Sequence, residues 1–243
     1  PELAQRINTE APAELARVCQ KLGRRFIHFS TDYVFDGGKT PSWSEDDLTA
    51  PVNHYGRTKR AGELAVLEAC PEALVARVSW LFGPDKSSHP DQIVAKALQS
   101  AELTAIRDKT SSPTFTRDLC EWIQTLITDH PEARGLLHLC NSGVASWHSW
   151  AEKTLGFVKF LGVPVQTMNV RPIKLAELRA ACQGFMAGVD HADRYGVPQH
   201  ITHFPRYHVR LAFRDKHGVE VDIPGPLCIG AGRYFGLGLF VGE

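Results

Sequence analysis

Apolar positions along this chain recur in two ways, at helical spacing in some stretches and as short near-continuous runs in others. Residues 10–22 place Ala11, Leu15, Val18, Cys19 and Leu22 on one helical stripe, with Pro12 in the first turn and Gly23 closing the pattern. Arg25 to Phe29 then predicts a strand that is apolar on both faces except at His28, as in a parallel sheet covered by helices. Residues 36–53, with glycines, prolines and the acidic trio Glu45, Asp46 and Asp47, predict a surface loop. Ala61, Leu64, Leu67 and Cys70 predict a helix over 55–70, and Leu74 to Ser79 a second buried strand. A polar loop over 84–91, a helix over 92–100 and a strand over Leu103 to Ile106 follow. Leu119, Ile123, Leu126 and Ile127 mark a helix over 117–128, and Leu136 to Leu139 another strand. Ser146 is placed to cap a helix carrying Trp147, Trp150 and Val158. Strands alternating with helices predict an α/β domain built on a parallel sheet.

The pattern changes after about residue 170. Pro172 is expected to start a helix carrying Leu175, Leu178, Cys182, Phe185 and Val189. Tyr207 to Phe213 and Val219 to Ile223 alternate polar with apolar, as an antiparallel hairpin does. The chain ends in a glycine-dense stretch whose Gly230, Gly232 and Gly236 lack dinucleotide-loop spacing. His191, His200, His203 and His208 read as exposed or hydrogen-bonded histidines rather than a catalytic cluster.

The 243 residues suffice for one large domain or two small ones, and 43% hydrophobic with 22% charged residues is a globular composition. Formal net charge is zero, so no global field draws the chain to nucleic acid or membrane. Six cysteines without Cys-x-x-Cys spacing, each in an apolar segment, predict buried free thiols in a reducing, cytoplasmic compartment and no metal centre. No apolar run approaches the roughly 20 residues of a membrane helix, and no signal peptide is visible. The first residue is Pro1, from which an upstream piece is expected.

Candidate chemistry centres on Tyr55 and Lys59, four residues apart and so on one helical face. An ammonium beside a phenol favours the phenolate, and a phenol so poised passes a proton to or from a hydroxyl being made or oxidised. Thr31, at the end of the first strand, can offer its hydroxyl to the same oxygen. The spacing alone also arises on ordinary surface helices.

The surrounding text is more specific. Phe29-Ser-Thr-Asp-Tyr-Val-Phe-Asp-Gly37, Pro51, Tyr55-Gly-Arg-Thr-Lys59 and Gly62-Glu63 together resemble the dTDP-4-dehydrorhamnose reductase family of extended short-chain dehydrogenase/reductases. The likeness continues through Arg77 to Gly83, Ser112-Pro-Thr114 and Asn141-Ser-Gly143, and covers residues 1–178. It implies an incomplete Rossmann-like fold and NADPH- or NADH-dependent reduction of the 4-keto carbon of a dTDP-linked 6-deoxy sugar. It also implies Thr31, Tyr55 and Lys59 as catalytic residues, Tyr55, Lys59 and Ser79 near the cofactor, and Asp32, Tyr33 and Trp80 near the sugar. Core packing remains open for Trp80 and turn capping for Asp32, while Phe35 and Trp43 are expected to pack. The family's Gly-x-x-Gly-x-x-Gly loop does not precede the catalytic block, so reductase activity is expected to be weak or absent. A non-catalytic regulatory subunit on the same fold is an alternative.

Residues 179–243 resemble something else. Phe204-Pro-Arg-Tyr-His-Val-Arg-Leu and the glycine-rich Gly230-Ala-Gly-Arg-Tyr-Phe-Gly-Leu-Gly-Leu-Phe240 are similar to the end of CRISPR-associated repeat-RNA-processing proteins of the RAMP superfamily. That resemblance implies RNA contact through Arg206, Arg210, Gly230, Gly232 and Arg233, against the alternative of a glycine-rich turn packing on strands. Two joined gene fragments, with the seam between residues 165 and 190, are the expectation. Oligomeric state is left open.

Overall fold

The computed structural model describes residues 2–38 and 42–177, together with the backbone of two short strands at 226–228 and 239–241. A five-stranded sheet organises the chain. Its described strands are β1 (Phe26–Thr31), β2 (Leu74–Val78) and β4 (Gly135–Leu139), with β3 (Leu103–Ile106) and β5 (Val170–Ile173) forming a separate parallel pair. β6 (Pro226–Cys228) and β7 (Leu239–Val241) complete the main sheet in the order β6-β7-β1-β2-β4. β1, β2 and β4 are mutually parallel, whereas β7 joins β1 antiparallel. The main helices are α1 (Ala11–Lys21), α2 (His54–Ala69), α3 (His89–Ala97), α4 (Thr116–Thr128) and α5 (Trp147–Phe160).

Register sorts the strand residues onto two faces, because side chains alternate along each strand. Ile27 lies beside Leu74, Phe29 beside Ala76, and Val78 beside Leu139. This face is apolar and packs on Leu119 and Ile123 of α4. On the other face, Phe26, Val75 and Leu136 pack against Ala16 and Cys19 of α1 and Val66 of α2. Further along, that second face becomes polar: Ser30, Arg77 and His138 form one row across three strands. A second core gathers Ile93 and Ala97 of α3, Leu103 and Ala105 of β3, and Leu155 of α5.

The main elements stand where the apolar pattern put them, with four corrections. Val18 of α1 and Leu22 at its C-terminal cap are exposed, at 48% and 67%, because the buried stripe runs through Ala13, Ala16 and Cys19 instead. Leu64 of α2 is 54% exposed, since the buried face of that helix is Gly56, Thr58, Lys59, Gly62, Glu63 and Val66. α3 begins at His89 rather than residue 92, because Ser88 and Asp91 form a capping box and Pro90 suits the first turn. Pro172 does not start a helix but lies in β5, on a two-stranded ladder where a missing N–H is tolerated.

The thiol expectation divides. Cys19 and Cys70 are buried, while Cys120 and Cys140 are exposed. The expected helix beyond residue 177, the hairpin at 207–223, and Arg206, Arg210, Gly230, Gly232 and Arg233 lie outside the described residues. Among the described residues no helix is long and apolar enough to cross a membrane.

Close approach explains why α2 carries glycine in its packed face. A Cβ on Gly62 would lie 2.1 Å from the Asn8 carbonyl oxygen. Gly156 in α5 faces open space. Gly62→Ala is therefore expected to lose about 1–3 kcal/mol from overpacking, despite the helix-propensity gain. Gly156→Ala should gain up to about 1 kcal/mol. Urea denaturation of both variants checks the contrast, and equal effects would contradict it.

Candidate active site

The site is assembled where β1 and β2 end. Thr31 closes β1 and accepts the Tyr33 N–H at 3.2 Å, starting a short 3-10 turn over Asp32–Val34. Its hydroxyl donates to Asp32 Oδ1 at 3.1 Å. Asp32 Oδ2 accepts from Ser79 Oγ at 3.0 Å and Ser111 Oγ at 2.8 Å. One carboxylate thus gathers hydroxyls from the ends of β1 and β2 and from the 107–112 segment.

α2 delivers the other expected residues. Asn53 caps the helix by accepting the Gly56 N–H at 2.7 Å. A Cβ on Gly56 would meet the Tyr33 carbonyl oxygen at 2.1 Å, so the helix start presses directly onto the turn. That contact lays the Tyr55 ring edge-on against Tyr33, with centroids 5.9 Å apart. Lys59, one turn on, is 2% exposed and donates from Nζ to the Phe29 carbonyl at 2.6 Å. Its Nζ also lies 3.4 Å from His28 Nε2. Burial lowers the Lys59 pKa to about 8, opposed by the Glu63 carboxylate. His28 is held well below its usual value by burial and by Lys59, and so stays neutral.

A cavity of about 400 Å³ opens between the ends of β1 and β2 and residues 108–112. Asp32, Tyr33, Ser79 and Trp80 line it; Thr31, Tyr55 and Lys59 are not among its lining residues. Tyr55 adjoins the cavity through Tyr33, whereas the Lys59 ammonium is engaged by β1 itself. Trp80 both packs and lines: its ring stacks on Trp147 at 3.8 Å while its Nε1 is buried without a partner. It also adopts φ 36°, a left-handed backbone rarely held by a bulky residue and one that recurs where structure serves a site. Phe35 and Trp43 stack at 4.4 Å, the packing role the sequence suggested.

Sequence reasoning passed over Lys109 and Ser111. Lys109 lines the cavity and donates to the Tyr33 hydroxyl at 2.7 Å. The signal was the polar run Arg107-Asp-Lys-Thr-Ser-Ser112, set between a strand and Ser112-Pro-Thr114.

Among the described residues no cluster of His, Cys, Asp or Glu is arranged for a metal ion. For a nicotinamide cofactor the fit is partial. Of the two residues expected at its ribose end, Tyr55 adjoins the cavity through Tyr33 but Lys59 is buried against β1, and no glycine loop for a pyrophosphate occurs among the described residues.

Two known families match overlapping parts of the chain. The RmlD substrate-binding domain matches residues 1–183, and a CRISPR-associated protein family, GSU0054, matches residues 129–242. The dTDP-4-dehydrorhamnose reductase of Escherichia coli K12 is 34% identical over 168 residues, covering 68% of this chain and 56% of the relative. The Mycolicibacterium smegmatis enzyme of that name is 38% identical over 174 residues, covering 71% of this chain and 51% of the relative. The Bacillus anthracis dTDP-4-dehydrorhamnose reductase, solved in complex with NADP, superposes with TM-score 0.67 at 30% identity. That superposition covers 73% of this chain and 60% of the solved one. The chain therefore spans little more than half the length of these curated relatives.

The buried lysine makes stability pH-dependent in a definite direction. Its folded pKa, about 8, lies below its usual 10.5, so the unfolded chain holds more protons between those values. The penalty is complete below pH 8 and is relieved as pH rises toward 10.5, a change on the order of 3 kcal/mol. Lys59→Met should flatten that rise in urea denaturation across the same window. An unchanged slope would contradict a buried, strained ammonium.

Proposed function

The chain belongs to the RmlD substrate-binding domain family, and on that premise we propose that its cavity binds a dTDP-4-keto-6-deoxy sugar for NAD(P)H-dependent reduction at the 4-keto carbon. The observation that carries the reading is the cavity at the ends of β1 and β2, lined by Asp32, Tyr33, Ser79 and Trp80 and adjoined by Tyr55. A bound nicotinamide supplies the hydride, and the protein orients and polarises. Tyr55, reached past Tyr33, would give its phenolic proton to the forming alkoxide, and Thr31 would steady the substrate oxygen by turning its hydroxyl from Asp32. Lys59, one turn away on α2, supports the phenolate that remains. Asp32 holds Thr31, Ser79 and Ser111 in place. Trp80 lines the cavity and supplies an aromatic surface to the sugar side.

We propose further that residues 1–178 form this reductase-like unit, that 179–243 are a distinct segment whose β6 and β7 add to the same sheet, and that the protein resides in the cytoplasm. The E. coli and M. smegmatis relatives are named for the same reduction, which supports the substrate class.

Binding tests the reading without requiring full turnover. A dTDP-4-keto-6-deoxy sugar at about 100 times its Kd should stabilise the fold by about 2.7 kcal/mol, seen as a raised Tm. Trp80→Ala should remove the shift. Any slow NADPH oxidation should fall about 100-fold or more in Tyr55→Phe. No shift with the wild-type chain would contradict the substrate assignment.

A second reading, RNA contact, is favoured by the match of residues 129–242 to the CRISPR-associated family. Residues 129–177 form β4, α5 and β5 of the α/β fold, so this reading concerns the later residues Arg206, Arg210 and Arg233, with Gly230 and Gly232. Gel-shift binding of a CRISPR repeat RNA, lost in Arg233→Ala, is its expected outcome; no shift would remove it.

A further inference from the structure

We propose that Lys109 is the anion anchor of the cavity and takes a phosphate of its ligand. For the identity of that ligand the proposal rests on the nucleotide-sugar reading above.

The argument is a tally of donors, acceptors and charges at the cavity wall. Arg77 reaches the cavity, but its fork is closed on Glu63 through Nε and Nη2, both at 2.8 Å. His138 is kept neutral, its pKa lowered chiefly by burial. Asp32 is engaged by the hydroxyls of Thr31, Ser79 and Ser111, the last two of which also contact each other. Asp36 and Asp108 are exposed, and each spends Oδ1 on a main-chain N–H, of Gly38 and Leu175 respectively. Water screens charges at such a rim.

Lys109 differs from all of these. Its ammonium donates to a neutral phenol, the Tyr33 hydroxyl, and lies 4.4 Å from that ring's centroid. Among the described residues it forms no ion pair. An ammonium has three donors, so others remain for a ligand. Accepting one of them leaves the Tyr33 O–H free to donate as well. The wall thus offers donors at Lys109 and Tyr33, while the Asp32 carboxylate is turned to its own hydroxyl partners. Such a wall selects a ligand dense in acceptor oxygens, and a phosphate meets that need with charge-assisted bonds.

Isothermal titration of the full chain with dTDP, thymidine and inorganic pyrophosphate tests the assignment. Lys109→Met should weaken dTDP and pyrophosphate by at least about tenfold, the loss of one charge-assisted bond, and leave thymidine unchanged. Lys109→Arg should keep most of the affinity. Equal weakening of thymidine and dTDP would mean that Lys109 only holds Tyr33, and would overturn the proposal. Unchanged dTDP binding in Lys109→Met would overturn it while leaving the nucleotide-sugar reading intact. Lys109-dependent pyrophosphate binding without dTDP binding would uphold the anchor and remove the nucleotide-sugar reading. No binding of any probe by the wild-type chain would overturn both.

Discussion

One buried carboxylate holds α2, the helix of Tyr55 and Lys59, to the sheet. Glu63 of α2 has no solvent exposure, yet every lone-pair direction is answered. Its Oε1 accepts from Ser30 Oγ at 2.5 Å and Arg77 Nε at 2.8 Å; its Oε2 accepts from Arg77 Nη2 and Arg60 Nη1, both at 2.8 Å. Burial alone would raise its pKa, but these donors win and hold it below the usual carboxylate value. Removing one partner would strand the other charge without water, which is costly in a way that a surface pair is not. The bidentate geometry also admits only one depth and rotation of α2 on the strands. Tyr55 and Lys59 inherit their positions from that constraint.

The same polar row extends to the sheet edge. Arg77 sits beside His138 of β4, with its guanidinium 5.1 Å from the Phe35 ring. The outward N–H of His138 is taken by Glu45 Oε1 at 2.7 Å, so the acidic loop covers an edge that would otherwise offer its donors to another chain. The loop that reads as surface filler in the sequence therefore closes the sheet and, through Phe35 and Trp43, walls the cavity.

Much of this was legible in the sequence, and the reasons for the rest are specific. Runs such as Leu74–Val78 declare buried strands because four of their five residues are apolar, and Ser146 declares a helix start because its side chain answers an N–H. α2 misled because its packed face is polar and small: Lys59 and Glu63 go inward while Leu64 goes outward. Periodicity counts hydrophobicity, and a buried ion pair inverts that signal. Pro172 misled for a different reason, since the same residue suits a helix start and an edge strand, and only the partner strand Leu103–Ile106 decides. Residues named by motif reached the cavity wall, as Asp32, Tyr33, Ser79 and Trp80 did. Lys109 did not come from the motif, because its role depends on a partner 76 residues earlier.

The account depends on Glu63 and Arg77 acting as a coupled pair rather than as two independent buried groups. A double-mutant cycle of Glu63→Gln, Arg77→Met and the combined variant, read by urea denaturation, measures this directly. A coupling free energy of about 2–3 kcal/mol is predicted, with the double variant far less destabilised than the two single losses summed. Additivity within about 0.5 kcal/mol would contradict the claim that this pair seats the helix.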